Sequence, residues 1–204
     1  MAVTREAARR RAGVYFEEPA VRVLRALGVS PNSLTLAGLL VAVVTAYLLS
    51  QGFMAAAAAA LVASALFDQL DGSLARATGQ VSKFGGLLDS VVDRAAESVV
   101  LVGLLAFYLA RSADLEAALV YAAFATSISV SYVRARASGM NVDCQIGVMT
   151  RVERMAVLVI ALAVGQWWID GVAVGLGVIA ALSAVTVVQR VLHVRAELRR
   201  RGTP

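Results

Sequence analysis

Six long apolar segments limit, more than any other feature, what this chain can fold into. Each is about as long as a membrane-crossing helix, which needs about 20 mainly apolar residues. We predict helices over 33–50, 53–76, 82–109, 115–137, 152–169 and 171–194. The composition agrees, because 59% of the 204 residues are hydrophobic and only 16% are charged. The predicted fold class is all-α and integral to the membrane, with six transmembrane helices.

The basic residues are distributed asymmetrically between these segments. With six helices both termini lie on one side of the membrane, and of the 19 Lys and Arg residues only Arg111 then falls on the other side. Loops rich in Lys and Arg stay in the cytoplasm. We therefore predict a multi-pass plasma-membrane protein whose termini face the cytoplasm. The distribution of the net charge of +5 is more informative here than its size, and no nucleic-acid partner is predicted.

The residues before the first span predict a surface helix. Glu17–Pro19 is typical of a helix start, and Val21, Leu24 and Leu27 follow at spacings of three. We predict an amphipathic helix over 14–28 that lies on the membrane surface; a plain cytosolic arm is the alternative. The predicted organisation is a cytoplasmic arm and juxtamembrane helix over 1–32, a six-helix catalytic domain over 33–194, and a basic cytoplasmic tail over 195–204.

Four aspartates interrupt the second and third apolar segments. Asp68 and Asp71 are three residues apart and Asp89 and Asp93 are four apart, so on helices each pair shares one face. A charge at membrane depth costs about 2.5 to 3.5 kcal/mol on insertion scales, and four carboxylates brought together repel each other. Hard oxygen ligands favour Mg²⁺, Mn²⁺ or Ca²⁺, so the pattern predicts a divalent-cation site.

The aspartates belong to a longer pattern, D-x-x-D-G-x-x-A-R-x8-G-x-x-x-D-x-x-x-D, which runs from Asp68 to Asp93. This pattern resembles the signature of the CDP-alcohol phosphatidyltransferase family. The resemblance implies six membrane helices after an N-terminal amphipathic helix, usually in a homodimer. It also implies an enzyme that transfers a phosphatidyl group from a CDP-linked lipid to an alcohol and releases CMP, with its active site at the cytoplasmic face.

The same resemblance assigns roles to individual residues. Two divalent cations, Mg²⁺ or Mn²⁺, are expected on Asp68, Asp71, Asp89 and Asp93, and Asp93 is also the expected general base. Small or cationic positions are expected to bind the CDP-lipid, which is CDP-diacylglycerol or an ether-lipid analogue. They are Gly72, Ala75, Arg76 and Gly85, together with Asn32 and Thr35 of a Pro-Asx-x-x-Thr segment.

Four arginines indicate an anionic acceptor, because Arg binds phosphate in bidentate fashion. They are Arg134, Arg136, Arg151 and Arg154. The segments S-Y-V-R-A-R-A and R-V-E-R resemble the phosphatidylinositol-phosphate synthase branch and its archaeal ether-lipid relatives, which implies a polyol phosphate, inositol phosphate, as the acceptor. The same resemblance adds Arg190, which follows Gln189 in the last helix, to the acceptor site. Ser138 stands where that branch usually has Glu, so glycerol 3-phosphate is the alternative acceptor.

Two readings from other classes fit the residues less well. An ion transporter could use carboxylates at membrane depth, but no second acidic cluster lies on the outer side and no internal repeat is visible. A structural membrane scaffold does not explain the carboxylates.

The single cysteine, Cys144, and the single histidine, His193, exclude an intrachain disulfide and a zinc site of the Cys/His type.

Overall fold

The computed structural model describes residues 18–202 of the chain. Within this range it contains seven α-helices and no strand, which confirms the all-α class. We number them α1 (Glu18–Ala26), α2 (Pro31–Ser50), α3 (Met54–Thr78), α4 (Lys83–Leu109), α5 (Asp114–Gly139), α6 (Arg151–Gly165) and α7 (Asp170–Arg200).

Four of these helices are long and apolar enough to cross a membrane, namely α2, α3, α5 and α7. Helix α6 has 15 residues, fewer than the predicted 152–169, because the chain turns at Gln166 and begins α7 at Asp170. Helix α4 has 27 residues, but charged side chains such as Asp89, Asp93 and Glu97 occupy its first half. The six-span count therefore remains a prediction for α4 and α6.

The described residues divide into two compact units. The first comprises residues 18–44 and 60–97, which include α1, most of α2, the second part of α3 and the first half of α4. Its core is an apolar cluster in which Val21, Leu34 and Leu74 are buried, with partly buried side chains packed around them. Those side chains are Leu24, Val29, Phe67 and Leu70.

The helix α1 uses its apolar face for this packing. The prediction placed a helix over 14–28; the structure has it from Glu18 to Ala26, and positions 14–17 lie outside the described residues. Val21 and Leu24 contact the cluster, while Arg22 and Arg25 are exposed. This amphipathic pattern agrees with a helix at an interface, and its position on the membrane surface stays a prediction.

The second unit comprises residues 45–59 and 98–202. Small residues allow its helices to approach closely. A Cβ atom on Gly175 would overlap Ala161 of α6, and one on Gly103 of α4 would lie 2.6 Å from the Cα atom of Ala46 in α2. Helix α7 continues to Arg200, so residues 195–200 of the predicted tail are helical.

Candidate active site

The four aspartates lie where α3 ends and α4 begins. Gly79, with φ +68°, ends α3 in the left-handed conformation that favours glycine. Ser82 then caps α4, because its Oγ atom accepts a hydrogen bond from the N–H of Gly85 at 2.9 Å. Asp68 and Asp71 thus stand on the last turns of α3, and Asp89 and Asp93 on the early turns of α4.

Three of the carboxylates converge. One oxygen atom from each of Asp68, Asp89 and Asp93 lies within 4.8 Å of the other two, and all three side chains are half-buried. Oxygen ligands surround Mg²⁺ at about 2.0–2.1 Å and Ca²⁺ at about 2.3–2.6 Å. Oxygen atoms this close together can therefore share one divalent cation after small side-chain adjustments. The donor set, three hard carboxylates, suits Mg²⁺ or Mn²⁺.

Asp71 lies outside this three-residue group. Its side chain is buried, and its Oδ2 atom accepts a hydrogen bond of 2.5 Å from the hydroxyl of Thr35 in α2. The spacing predicted four carboxylates at one point. The structure brings oxygen atoms of three together and bonds Asp71 to α2, close enough to Asp68 and Asp89 for electrostatic interaction, so the four-carboxylate site stays a prediction. Helical periodicity places Asp68 and Asp71 on one face of α3, but it cannot predict that a threonine of another helix contacts that face.

The small and cationic residues of the motif surround the same helix ends. A Cβ atom on Gly85 would lie 3.7 Å from the Oδ1 atom of Asn32, so the start of α2 faces the start of α4. Arg76 is exposed and lies over Gly72, with its Nη1 atom 3.4 Å from where a Cβ would be. Its Nη2 atom donates to Ser73 Oγ at 3.0 Å, and Ala75 is half-buried.

The five arginines belong to the second unit and differ in exposure. Arg134 and Arg136 are exposed near the end of α5, Arg151 is half-buried at the start of α6, and Arg154 is buried. Arg190 of α7 is also buried, and two of its N–H groups donate to backbone carbonyls. They bond Ile146 O at 2.8 Å and Val130 O at 2.7 Å.

Two features of these sites were not predicted from the sequence. One is the bond between Thr35 and Asp71, for which the sequence offers no local signal. The other is the cap of α6, where the N–H of Thr150 donates to Glu153 Oε2 at 2.9 Å and the Thr150 hydroxyl donates to the same carboxylate. The pattern T-x-x-E before an apolar run is a recognised signal of such a capping box, so this second feature could have been found.

Comparison with known proteins identifies the family. The family model for CDP-alcohol phosphatidyltransferases matches residues 28–191, which is most of the chain and includes the whole aspartate pattern. This chain belongs to the CDP-alcohol phosphatidyltransferase family. The predicted resemblance is confirmed, and the chain is a membrane-helix transferase of phospholipid biosynthesis rather than a transporter or a scaffold.

Two relatives of this phosphatidyltransferase cover most of its length. An archaetidylinositol phosphate synthase of Pyrococcus horikoshii is 35% identical over 178 residues, which are 87% of this chain and 89% of the relative. A phosphatidylinositol phosphate synthase of Corynebacterium glutamicum is 37% identical over 183 residues, which are 86% of this chain and 82% of the relative.

Solved structures of a similar enzyme share the fold. The phosphatidylinositol phosphate synthase of Mycobacterium tuberculosis with CDP-DAG bound has a TM-score of 0.81 and 30% identity, and the match covers 88% of this chain and 93% of that chain. The same enzyme in complex with manganese and citrate also has a TM-score of 0.81 and 30% identity, with 88% of both chains covered. Members of the family depend on divalent cations, and the cluster of three carboxylates in this chain agrees with that requirement.

Proposed function

We propose that this enzyme transfers a phosphatidyl group from CDP-diacylglycerol, or an ether-lipid analogue, to the hydroxyl of inositol phosphate. The hydroxyl oxygen forms a bond with the lipid-side phosphorus, and the bond from that phosphorus to the CMP oxygen breaks with its electrons going to CMP. The acceptor proton passes to a carboxylate of the enzyme. The observation that carries the proposal is the convergence of Asp68, Asp89 and Asp93 within the family's motif.

The carboxylates would hold two divalent cations, Mg²⁺ or Mn²⁺. Asp68, Asp89 and Asp93 offer the convergent oxygens, and Asp71, held in place by Thr35, would add a ligand beside them. When bound, such cations offset the charge of the diphosphate and stabilise the leaving CMP. The proposal of a manganese-compatible site is supported by the similar Mycobacterium tuberculosis enzyme, whose structure contains manganese.

Asp93 is the proposed general base. It stands one helical turn after Asp89, so it can remain beside the metal ligands while it accepts the proton of the acceptor hydroxyl. The CDP-lipid would lie against Asn32, Thr35, Gly72, Ala75, Arg76 and Gly85. Among these, Arg76 is exposed and supplies a fixed positive charge for the diphosphate.

The acceptor phosphate would bind to the arginine cluster. Arg134 and Arg136 offer exposed guanidinium groups, and Arg151 and Arg154 open α6, where the helix dipole also favours an anion. Arg190 retains further N–H groups beyond the two that bond carbonyls. The relatives named as inositol-phosphate lipid synthases support inositol phosphate as the acceptor, while Ser138 keeps glycerol 3-phosphate as the alternative.

The remaining proposals concern the membrane. The enzyme would cross the plasma membrane six times as a homodimer, with α4 and α6 completing the spans and α1 at the surface. The charge asymmetry supports a cytoplasmic location for the active site and for both termini. The organisation into an arm over 1–32, a catalytic domain over 33–194 and a tail over 195–204 is part of the same proposal.

One assay tests the reaction and the acceptor together. The purified enzyme is incubated with CDP-diacylglycerol and Mg²⁺ or Mn²⁺, and CMP release is measured with inositol phosphate, glycerol 3-phosphate, free inositol or serine. Release with inositol phosphate alone is the expected result. CMP release with glycerol 3-phosphate alone would contradict inositol phosphate as the acceptor. No CMP release with any of the four acceptors would contradict the proposed phosphatidyl transfer. A parallel series with an ether-linked CDP-lipid tests whether the enzyme prefers a diacyl or an ether-linked donor.

A further inference from the structure

The loop between α5 and α6, residues 140–150, lies along α7. Helix α5 ends at Gly139, and two residues later Asn141 has a φ of 55°, in the left-handed region; the N–H of Val142 donates back to Ala137 O at 2.9 Å. Below the loop, the buried side chains of Val142 and Cys144 pack against Ala137 of α5 and Val194 of α7. The loop is therefore anchored at its start by apolar contacts.

Side chains of α7, and of Arg201 immediately after it, form hydrogen bonds with the loop backbone along its length. The bonds join Arg201 Nη1 to Asn141 O (2.9 Å), His193 Nε2 to Asp143 O (3.1 Å), Arg190 Nε to Ile146 O (2.8 Å), Val148 N to Gln189 Oε1 (3.3 Å) and Met149 N to Thr186 Oγ1 (3.0 Å). The loop residues ascend in number while their partners on α7 and Arg201 descend, so the loop runs antiparallel to α7. Five backbone groups of a segment without secondary structure thus find their hydrogen-bond partners on one side.

Gly147 allows the closest approach in this arrangement. Its φ of +131° is rarely adopted by residues with a side chain, and a Cβ atom there would overlap the methyl group of Thr186. The hydroxyl of Thr186 bonds the N–H of Met149, two residues later. The bonds from Thr186 and Gln189 therefore hold the last part of the loop, immediately before the capping box of α6.

That position connects α7 to the proposed acceptor site. Thr150 caps α6, and the arginines at positions 151 and 154 follow within its first turn. A shift of the loop at Val148 or Met149 would move the start of α6 and with it both guanidinium groups. Effects of this kind matter because a small misplacement of a binding group weakens transition-state contacts.

We infer that Thr186 and Gln189 are positioning residues for acceptor binding, which act by fixing the α5–α6 loop and hence the position of Arg151 and Arg154. This inference rests on the proposed function, because it uses those arginines as ligands of the acceptor phosphate. Both residues act through the loop, without contact with the acceptor. Their loss should weaken acceptor binding more than binding of the CDP-lipid, whose proposed residues lie on α2, α3 and α4.

Two variants, Thr186→Val and Gln189→Met, remove these bonds with little change in side-chain size. Thr186→Ser retains the hydroxyl and should therefore keep the wild-type KM for the acceptor. Thr126→Val is the matched control, since the Thr126 hydroxyl bonds carbonyls of its own helix, Ala122 O at 2.8 Å and Ala123 O at 3.2 Å. Each test variant is expected to raise the KM for the acceptor about five- to tenfold, the effect of losing one hydrogen bond. The KM for the CDP-lipid should stay at the wild-type value.

A second readout does not depend on activity. Met149, whose N–H bonds Thr186, is buried, so Met149→Cys in a Cys144→Ala background places a thiol in the part of the loop that these bonds hold. N-ethylmaleimide should label this thiol slowly when Thr186 and Gln189 are both present. Thr186→Val and Gln189→Met should raise the labelling rate about five- to tenfold by loosening the loop, whereas Thr126→Val should leave it unchanged.

The labelling rates and the KM values test the loop-fixing role and the positioning role separately. Unchanged labelling in both test variants would overturn the loop-fixing role, whatever the enzyme transfers. Faster labelling with unchanged KM for the acceptor, or an equal rise in both KM values, would overturn the positioning role. The KM comparison uses whichever of inositol phosphate and glycerol 3-phosphate the wild type accepts, so failure of the inositol-phosphate proposal shows in the wild type alone.

Discussion

At the scale of single residues, Asp93 carries the proton-transfer step of the proposed reaction. Asp93→Asn keeps the size and the oxygen of the side chain but removes the base. We expect turnover to fall by about 10²- to 10⁴-fold, the usual contribution of general-base catalysis, with CDP-lipid binding largely retained. CMP release and equilibrium binding of the CDP-lipid measure the two effects. Asp114→Asn, at the start of α5, is the control, and wild-type turnover in Asp93→Asn would exclude the base assignment.

Asp68 tests the metal site without touching the proposed base. Asp68→Asn removes one negative charge from the three-carboxylate group, so the concentration of Mg²⁺ or Mn²⁺ needed for half-maximal CMP release should rise about tenfold or more. Excess metal should restore part of the activity. A metal titration identical to that of the wild type would show that Asp68 is not a ligand.

Thr35 donates a hydrogen bond to the buried carboxylate of Asp71. Thr35→Val keeps the shape of the side chain but leaves Asp71 without the 2.5 Å hydrogen bond from this hydroxyl. Loss of one partner of a buried polar group costs about 1–3 kcal/mol, so thermal unfolding in detergent should occur at lower temperature. Thr35→Ser should unfold like the wild type. Equal stability of the Val variant would mean that this bond contributes little.

At the scale of elements, close helix packing depends on particular glycines. A Cβ atom on Gly103 would meet the backbone of Ala46, which cannot move as a side chain can. Gly103→Ala should therefore destabilise the enzyme by about 1–3 kcal/mol, the usual cost of overpacking, as measured by thermal unfolding. Gly177→Ala in α7 is the control, because its added methyl meets nothing within 4 Å; it should not destabilise, since Ala favours a helix. The reverse order of stabilities would contradict this packing.

The elements themselves follow largely from local sequence. The apolar segments predicted every membrane-length helix, and Ser82 and Gly79 mark the turn between α3 and α4 by ordinary cap preferences. The predictions failed at the ends of helices. Helix α6 ends at Gly165 and α7 reaches Arg200, because hydropathy does not report where the chain turns or how far a polar helix continues beyond an apolar run.

At the scale of the whole molecule, the proposed topology can be tested by cysteine labelling. In a Cys144→Ala background, Gln51→Cys between α2 and α3 should react with an impermeant maleimide applied to intact cells. Gln80→Cys between α3 and α4 should react only after the membrane is opened. Both positions are exposed in the structure. Labelling of both positions from the same side would contradict the six-span topology, because an odd number of crossings must separate the two loops.

The sequence by itself determined the fold class, the faces of the helices and the family to which the chain belongs, because helical periodicity and motif spacing are local properties. Only the tertiary structure decided that Asp68, Asp89 and Asp93 converge while Asp71 bonds Thr35, and that α7 holds the α5–α6 loop. These outcomes depend on side chains from different helices. Helical spacing specifies which residues share a face but not which partner that face meets.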